Sequence, residues 1–272
     1  MVSDSKPRGR HLKLRRFGWP LGNEVLGLNN LTSWYNLLVP MIRQRARWYL
    51  GSLIWLALWP GAAYGQSTAL NDASHRYVAL YTQGRYQEAV PFAENALGLS
   101  EEELGPDHIS TARILNDLSV LFHAQGRYAE AEPLQKRALA IREKTLGAEH
   151  LDVAMSLNNL ASTYTAQGRH IEAAPLHRRA LAIREKALGA EHLDVAMSLN
   201  NLAELYRAQE AYAQAEPLYK RALEILEKLL GPDHPSVAQN LENYAVMLRK
   251  TERSIEATNM EARAKAIRAK QE

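Results

Sequence analysis

"GAEHLDVAMSLNNLA" fills residues 147–161 and returns letter for letter at 189–203. The copy is wider than those fifteen letters: between 139–161 and 181–203 only Thr145 and Ala187 differ. The step of 42 residues then runs outward in both directions. It joins Gly105, Gly147, Gly189 and Gly231; His108, His150, His192 and His234; and Pro91, Pro133, Pro175 and Pro217. Gly84, Gly126 and Gly168 keep the same step, which ends on Glu210. A fixed period of this size signals stacked units that touch only their neighbours, and it excludes a single mixed core.

One unit holds two helical segments. Val153, Leu157, Leu160, Ala161 and Tyr164 make one apolar stripe at helical spacing. Asp152 is the predicted N-cap, with Ser110, Asp194 and Ser236 as its equivalents. Gly168 supplies a left-handed stop. In the second segment, Ala173, Leu176, Ala180, Leu181, Ile183 and Leu188 are apolar, and Gly189 closes it. Pro175 falls just past the first turn, where it removes one backbone hydrogen bond and bends the axis. The two segments form a helical hairpin with too little core to stand alone.

"NNLASTYTAQGRHIEAAPLHRRALAIREKALG" resembles the tetratricopeptide repeat (TPR). Leu160, Ala161, Tyr164, Ala173 and Ala180 fall where that motif has Leu, a small residue, an aromatic, Ala and Ala. The period of 42, with its "LGAEHLDVAMSLNNLA" joint, is similar to the form found in kinesin light chains and many bacterial repeat proteins. The resemblance implies an all-α chain: a right-handed superhelical α-solenoid of five helix-turn-helix hairpins near 68–101, 109–145, 151–187, 193–229 and 236–270. It weakens at the edges, where Arg76 stands in the place of Leu160. The last segment, "SIEATNMEARAKAIRAKQE", is polar on its outer side, which predicts a capping end to the array.

The resemblance also implies protein or peptide binding in a concave groove lined by the first helix of each hairpin. With Leu157 set at 0°, a turn of about 100° per residue puts Asn158 near 100°, Ser162 near 140°, Met155 near 160° and Asn159 near 200°. Both asparagines therefore leave the core stripe, although Asn in a helix costs up to about 0.7 kcal/mol relative to Ala. Two duties are open for them. In the first division of labour, Asn116, Asn158 and Asn200 offer amides to the backbone of an extended ligand. Asp117, Asn159, Asn201 and Asn243 then hold the stacking register between repeats. Arg113, Met155 and Met197 one turn earlier are groove candidates, as are Val120, Ser162 and Glu204 one turn later, then His123, Thr165, Arg207, Arg249 and Lys250. The basic members suit an acidic ligand, with a plain solvated face as the alternative.

The histidine ladder does not read as a metal site. Ligands of one zinc lie about 2.1 Å from it, whereas packed helices stand about 8–10 Å apart, so histidines of successive hairpins cannot share an ion. They read instead as packing or capping residues in the inter-repeat loops. No Gly-rich phosphate loop, H-E-x-x-H motif, nucleophile elbow or cysteine occurs, and the carboxylates recur with the repeat. Neither enzymatic activity nor a cofactor is expected.

The leader differs from the rest. All five tryptophans and nine of the 33 Lys and Arg lie before residue 66, against two of the 30 acids. The remaining 24 basic and 28 acidic residues give the array a net charge of −4. A nucleic-acid footprint needs a basic face, which the array as a whole lacks. Arg43, Arg45 and Arg47 precede the apolar "LGSLIWLALW" of residues 50–59, then Pro60-Gly61 and the small residues Ala63 and Gly65. That order predicts a signal peptide over 41–65 with cleavage before Gln66, and an exported, periplasmic or secreted array over 66–272. A retained anchor facing outward is the alternative, and contact with a membrane is expected only through this segment. Residues 1–40 read as an extension or a mis-assigned start. Arg15-Arg16 has no apolar core near it, which argues against a twin-arginine signal.

Three functional classes follow. The first is a non-catalytic adaptor or scaffold holding an extended segment of another protein. A second is an accessory subunit of a separate protease-like or signalling enzyme, since similar bacterial proteins join such repeats to those domains. The third, a motor adaptor like the kinesin light chains, lacks that family's N-terminal heptads and conflicts with export.

Overall fold

Residues 67–270, which the computed structural model describes, fold into ten α-helices. They are α1 (Thr68–Thr82), α2 (Tyr86–Glu103), α3 (Ile109–Ala124), α4 (Tyr128–Leu146), α5 (Leu151–Ala166), α6 (His170–Leu188), α7 (Leu193–Ala208), α8 (Tyr212–Leu230), α9 (Pro235–Lys250) and α10 (Ser254–Ala269). The expected leader and signal segment lie outside the described residues. No helix among the described residues is long and apolar enough to cross a membrane.

Each helix packs on the next in the chain, making five hairpins. The predicted stripe is the interior: Val153, Leu157 and Ala161 are wholly buried, with Ala173 and Ala180 opposite them. Those alanines let the paired helices approach closely, and the larger Leu, Ile and Tyr side chains fill the space on either side. First helices of successive hairpins, α3 and α5, α5 and α7, α7 and α9, also touch directly. Second helices meet more sparsely and are bridged by long side chains. Arg137 pairs with Glu101, Arg179 with Glu143 and Arg221 with Glu185, at 2.5 to 2.7 Å. The layer whose helices touch is the inside of the curve, so α3, α5, α7 and α9 line the concave side. The outer ion pairs are partly exposed and contribute at most about 1 kcal/mol each.

Of the two expectations for the N-cap, the histidine ladder and not the Asp152 row supplies it. It is His150 and not Asp152: the His150 Nδ1 accepts the Asp152 backbone N–H at 3.1 Å. His108, His192 and His234 cap α3, α7 and α9 in the same way. His150 has the extended backbone that a cap requires, φ −75° and ψ 147°, whereas Asp152 already lies in the first turn. The ring nitrogen lone pair thus does the work of a Ser or Asp oxygen.

The first helices end on a residue in the left-handed region. Gly168 has φ 75° there, but Glu210 and Glu252 occupy the same place in the last two hairpins with φ 58° and 60°. A side chain is strained in that conformation, and glycine is not.

Candidate functional site

The asparagines form a ladder along the concave layer. Asn159 Nδ2 donates to Asn116 Oδ1 at 2.8 Å, and Asn201 Nδ2 to Asn158 Oδ1 at 3.0 Å. At the next joint Asn200 Oδ1 accepts from Asn240 Nδ2 at 3.2 Å and Asn243 Nδ2 at 3.4 Å. At the N-terminal end the Tyr77 hydroxyl donates to Asp117 Oδ2 at 2.9 Å. The reading of Asn116, Asn158 and Asn200 as amides offered to a ligand is therefore corrected. Asn116, Asn158 and Asn200 are 1%, 4% and 2% exposed, and their oxygens are the ladder's acceptors. They form the wall of the groove and do not present amides to its lumen. A buried amide needs partners, and the adjacent repeat supplies them to the three oxygens of this row, which offsets the poor helix propensity of Asn.

His177 joins this ladder from α6. Its Nδ1 lies 2.9 Å from Asn158 Oδ1, an acceptor, so the ring carries its proton on Nδ1. Burial, and secondarily the Arg184 charge, pushes His177 down to about 3, so the ring is neutral. Arg184 is itself buried and donates to Ser198 Oγ at 2.7 Å, as Arg142 does to Ser156 Oγ at 2.6 Å. Sequence reasoning missed these residues because they lie on second helices, facing inward. The one signal was chemical variety inside an otherwise copied unit: Gln135, His177 and Tyr219 occupy one position, and Arg142 and Arg184 another.

The other groove candidates differ in burial and in what they touch. Arg113, Met155, Met197 and Ser162 are half-buried on the concave layer, while Val120 is fully buried and belongs to the wall. Glu204 and Arg207 neutralise each other at 2.8 Å, and the Tyr219 hydroxyl also donates to Glu204. Arg249, which is exposed, pairs with Glu261 of α10 at 2.5 Å. His123 stands edge-on to Tyr128 with ring centroids 4.9 Å apart. Burial pushes His123 down to about 4, opposed in part by a hydrogen bond to the Ser162 backbone. The basic end of the groove is thus largely neutralised within the chain.

A concave layer of first helices, locked by side-chain amides and edged by half-buried side chains, defines an interaction solenoid. The tetratricopeptide-repeat family model matches residues 73–144, 120–186, 152–228 and 194–270, and the chain belongs to that family. The family is in general a non-catalytic protein-interaction scaffold. Among solved structures the chain is similar to a Podosopora anserina protein of nearly identical TPR-like repeats, described as a kinesin light chain. Identity is 28% and the TM-score 0.63, over 75% of this chain and 96% of that one. It is also similar to BtubC (BKLC) from P. vanneervenii, at 25% identity and a TM-score of 0.63, over 73% and 79% of the two chains. No curated protein matches it.

Proposed function

We propose that the solenoid is an adaptor that holds an extended segment of a partner protein along the concave faces of α3, α5, α7 and α9. The observation that carries this reading is the half-burial of Met155 and Met197, which stand at equivalent places beside a wall whose Asn116, Asn158 and Asn200 oxygens already accept bonds from the adjacent repeat. Thioether side chains adapt to varied partners. A wall whose amide oxygens are already occupied leaves specificity to the half-buried residues beside it.

A photo-crosslinking residue at position 155 or 197 tests this. Position 178 serves as control, because Arg178 is exposed and lies on α6. Partner adducts are expected from 155 and 197 and not from 178. Equal yield at all three positions would defeat the reading.

We further propose that the array works outside the cytosol. The support is the order of Arg43, Arg45 and Arg47, the apolar residues 50–59 and the small residues Ala63 and Gly65. N-terminal sequencing of protein recovered from the cell envelope should begin at Gln66. A start at Met1 or Met41 would contradict cleavage.

A further inference from the structure

The duplicated stretch places the same inner-face side chain, Met155 and then Met197, on two neighbouring helices, and the spacing of those helices restricts the conformation of what can lie across them. Asn158 and Asn201 bond directly between α5 and α7 at 3.0 Å, so the two helices are in contact, which for packed helices means axes about 8–10 Å apart. A β-strand repeats its face every second residue, at about 6.6 Å or about 13 Å, and misses that interval. A polyproline II helix has three residues per turn and rises about 3.1 Å each, so it presents the same face roughly every 9.3 Å.

One helix earlier in the same row stands Arg113. It is half-buried and in none of the close ion pairs among the described residues, although its charge acts on Tyr77 and Arg142. Arg127, Arg137, Arg169, Arg179, Arg207 and Arg253, by contrast, are all paired with glutamates. The carboxylate nearest along its own helix, Asp117, is buried and accepts the Tyr77 hydroxyl.

We propose that the groove takes a polyproline II segment that places one aspartate or glutamate side chain and two apolar side chains at successive third positions. The carboxylate meets Arg113 and the apolar groups meet Met155 and Met197. This deepens the groove reading given above and rests on it. The duplication explains why two apolar positions are equivalent, and the change from Met to Arg at 113 explains why the third is not. Past Ala161 and Ala203 the copies diverge, at Ser162 against Glu204 and Thr165 against Arg207, so the shared preference comes from the first halves of α5 and α7.

Panning a random decapeptide library against the full-length chain tests the proposal. Recovered peptides should show an acid and two apolar residues, each three apart, in either chain direction, with proline enriched between them. Arg113→Gln should abolish the acid preference and keep the apolar spacing, while Arg113→Lys should retain a weaker acid preference. Thermal melting confirms that both variants are folded. A two-residue alternation, an acid supplied only by the peptide C-terminus, or an acid preference that survives Arg113→Gln would overturn the inference while leaving the groove reading intact. Recovery of no peptide at all would remove the groove reading, and this inference with it.

Discussion

Asn201 donates its side-chain amide to Asn158 Oδ1 at 3.0 Å across the joint between two hairpins, and His177 Nδ1 meets the same oxygen at 2.9 Å. One acceptor thus ties together α5, α6 and α7. A shift of one residue between the hairpins would break the Asn201 bond and leave the His177 bond, which lies within one hairpin, so the Asn201 contact is the one that fixes how the two near-identical copies stack.

The two ends of that bond are unequal. Asn158→Ala leaves the His177 and Asn201 donors without their acceptor in a buried place, a penalty of about 1–3 kcal/mol, set against about 0.7 kcal/mol gained in helix propensity. Asn201→Ala loses one bond of about 1 kcal/mol with the same propensity gain, and Asn158 Oδ1 keeps His177. Denaturant titration should show a clear loss for the first variant and near neutrality for the second. Equal losses would contradict the assignment of Asn158 as the shared acceptor.

Acid should weaken the array before its carboxylates titrate. His177 is pushed from 6.5 down to about 3, first by burial and then by Arg184. Burial takes His123 down to about 4. Below about 6.5 the unfolded rings bind protons that the folded rings refuse, so the unfolded state holds more protons and stability rises with pH. It is complete above about 6.5 and falls as the pH drops toward the folded values. Unfolding free energy measured between about pH 7 and 5 should decrease, and His177→Gln, which installs the residue that Gln135 supplies one repeat earlier, should flatten the slope. An unchanged slope in His177→Gln would contradict the neutral, buried ring.

Glu210 and Glu252 hold left-handed backbone where three other repeats have glycine. Relief of roughly 1–2 kcal/mol of strain outweighs a loss of roughly 0.4–1 kcal/mol through the greater freedom of unfolded glycine. Glu210→Gly and Glu252→Gly should each raise stability by about 0.5–1 kcal/mol, visible as a rise of about 1–4 °C in Tm. A fall in Tm would mean that these side chains contribute more than their backbone costs.

The histidine caps are interchangeable with ordinary ones. His150→Ala should cost about 1 kcal/mol, and His150→Ser should restore most of it, because any acceptor at that place satisfies the Asp152 N–H. Thermal melting of the two variants measures the difference. A loss as large in His150→Ser as in His150→Ala would assign the ring some other role.

The period made the architecture legible. Gly147, Gly189, Pro175 and the apolar stripe from Val153 to Tyr164 are local signals, and each repeat confirms its neighbour. The groove wall was less so. Angles on one helix put Asn158 off the core stripe and left it facing either a ligand or a neighbour. What decided between these was the side chain 43 residues on, Asn201, whose reach depends on how hairpins stack. His177 was harder still, since nothing in the local pattern of α6 marks an inward-facing ring as a partner for an amide on another helix. The cap moved from Asp152 to His150 for a similar reason: imidazole is an uncommon cap, and residue-type preference favoured the acid.

The central claim is that partners bind the concave face through Met155 and Met197. Calorimetric titration of a partner recovered by crosslinking, against wild type, Met155→Glu/Met197→Glu and Arg178→Glu, tests it most directly. Placing two charges on apolar contacts worth at least about 1.4 kcal/mol should weaken binding by about tenfold or more, while Arg178→Glu leaves the Kd unchanged. Equal affinity for all three proteins would contradict the claim.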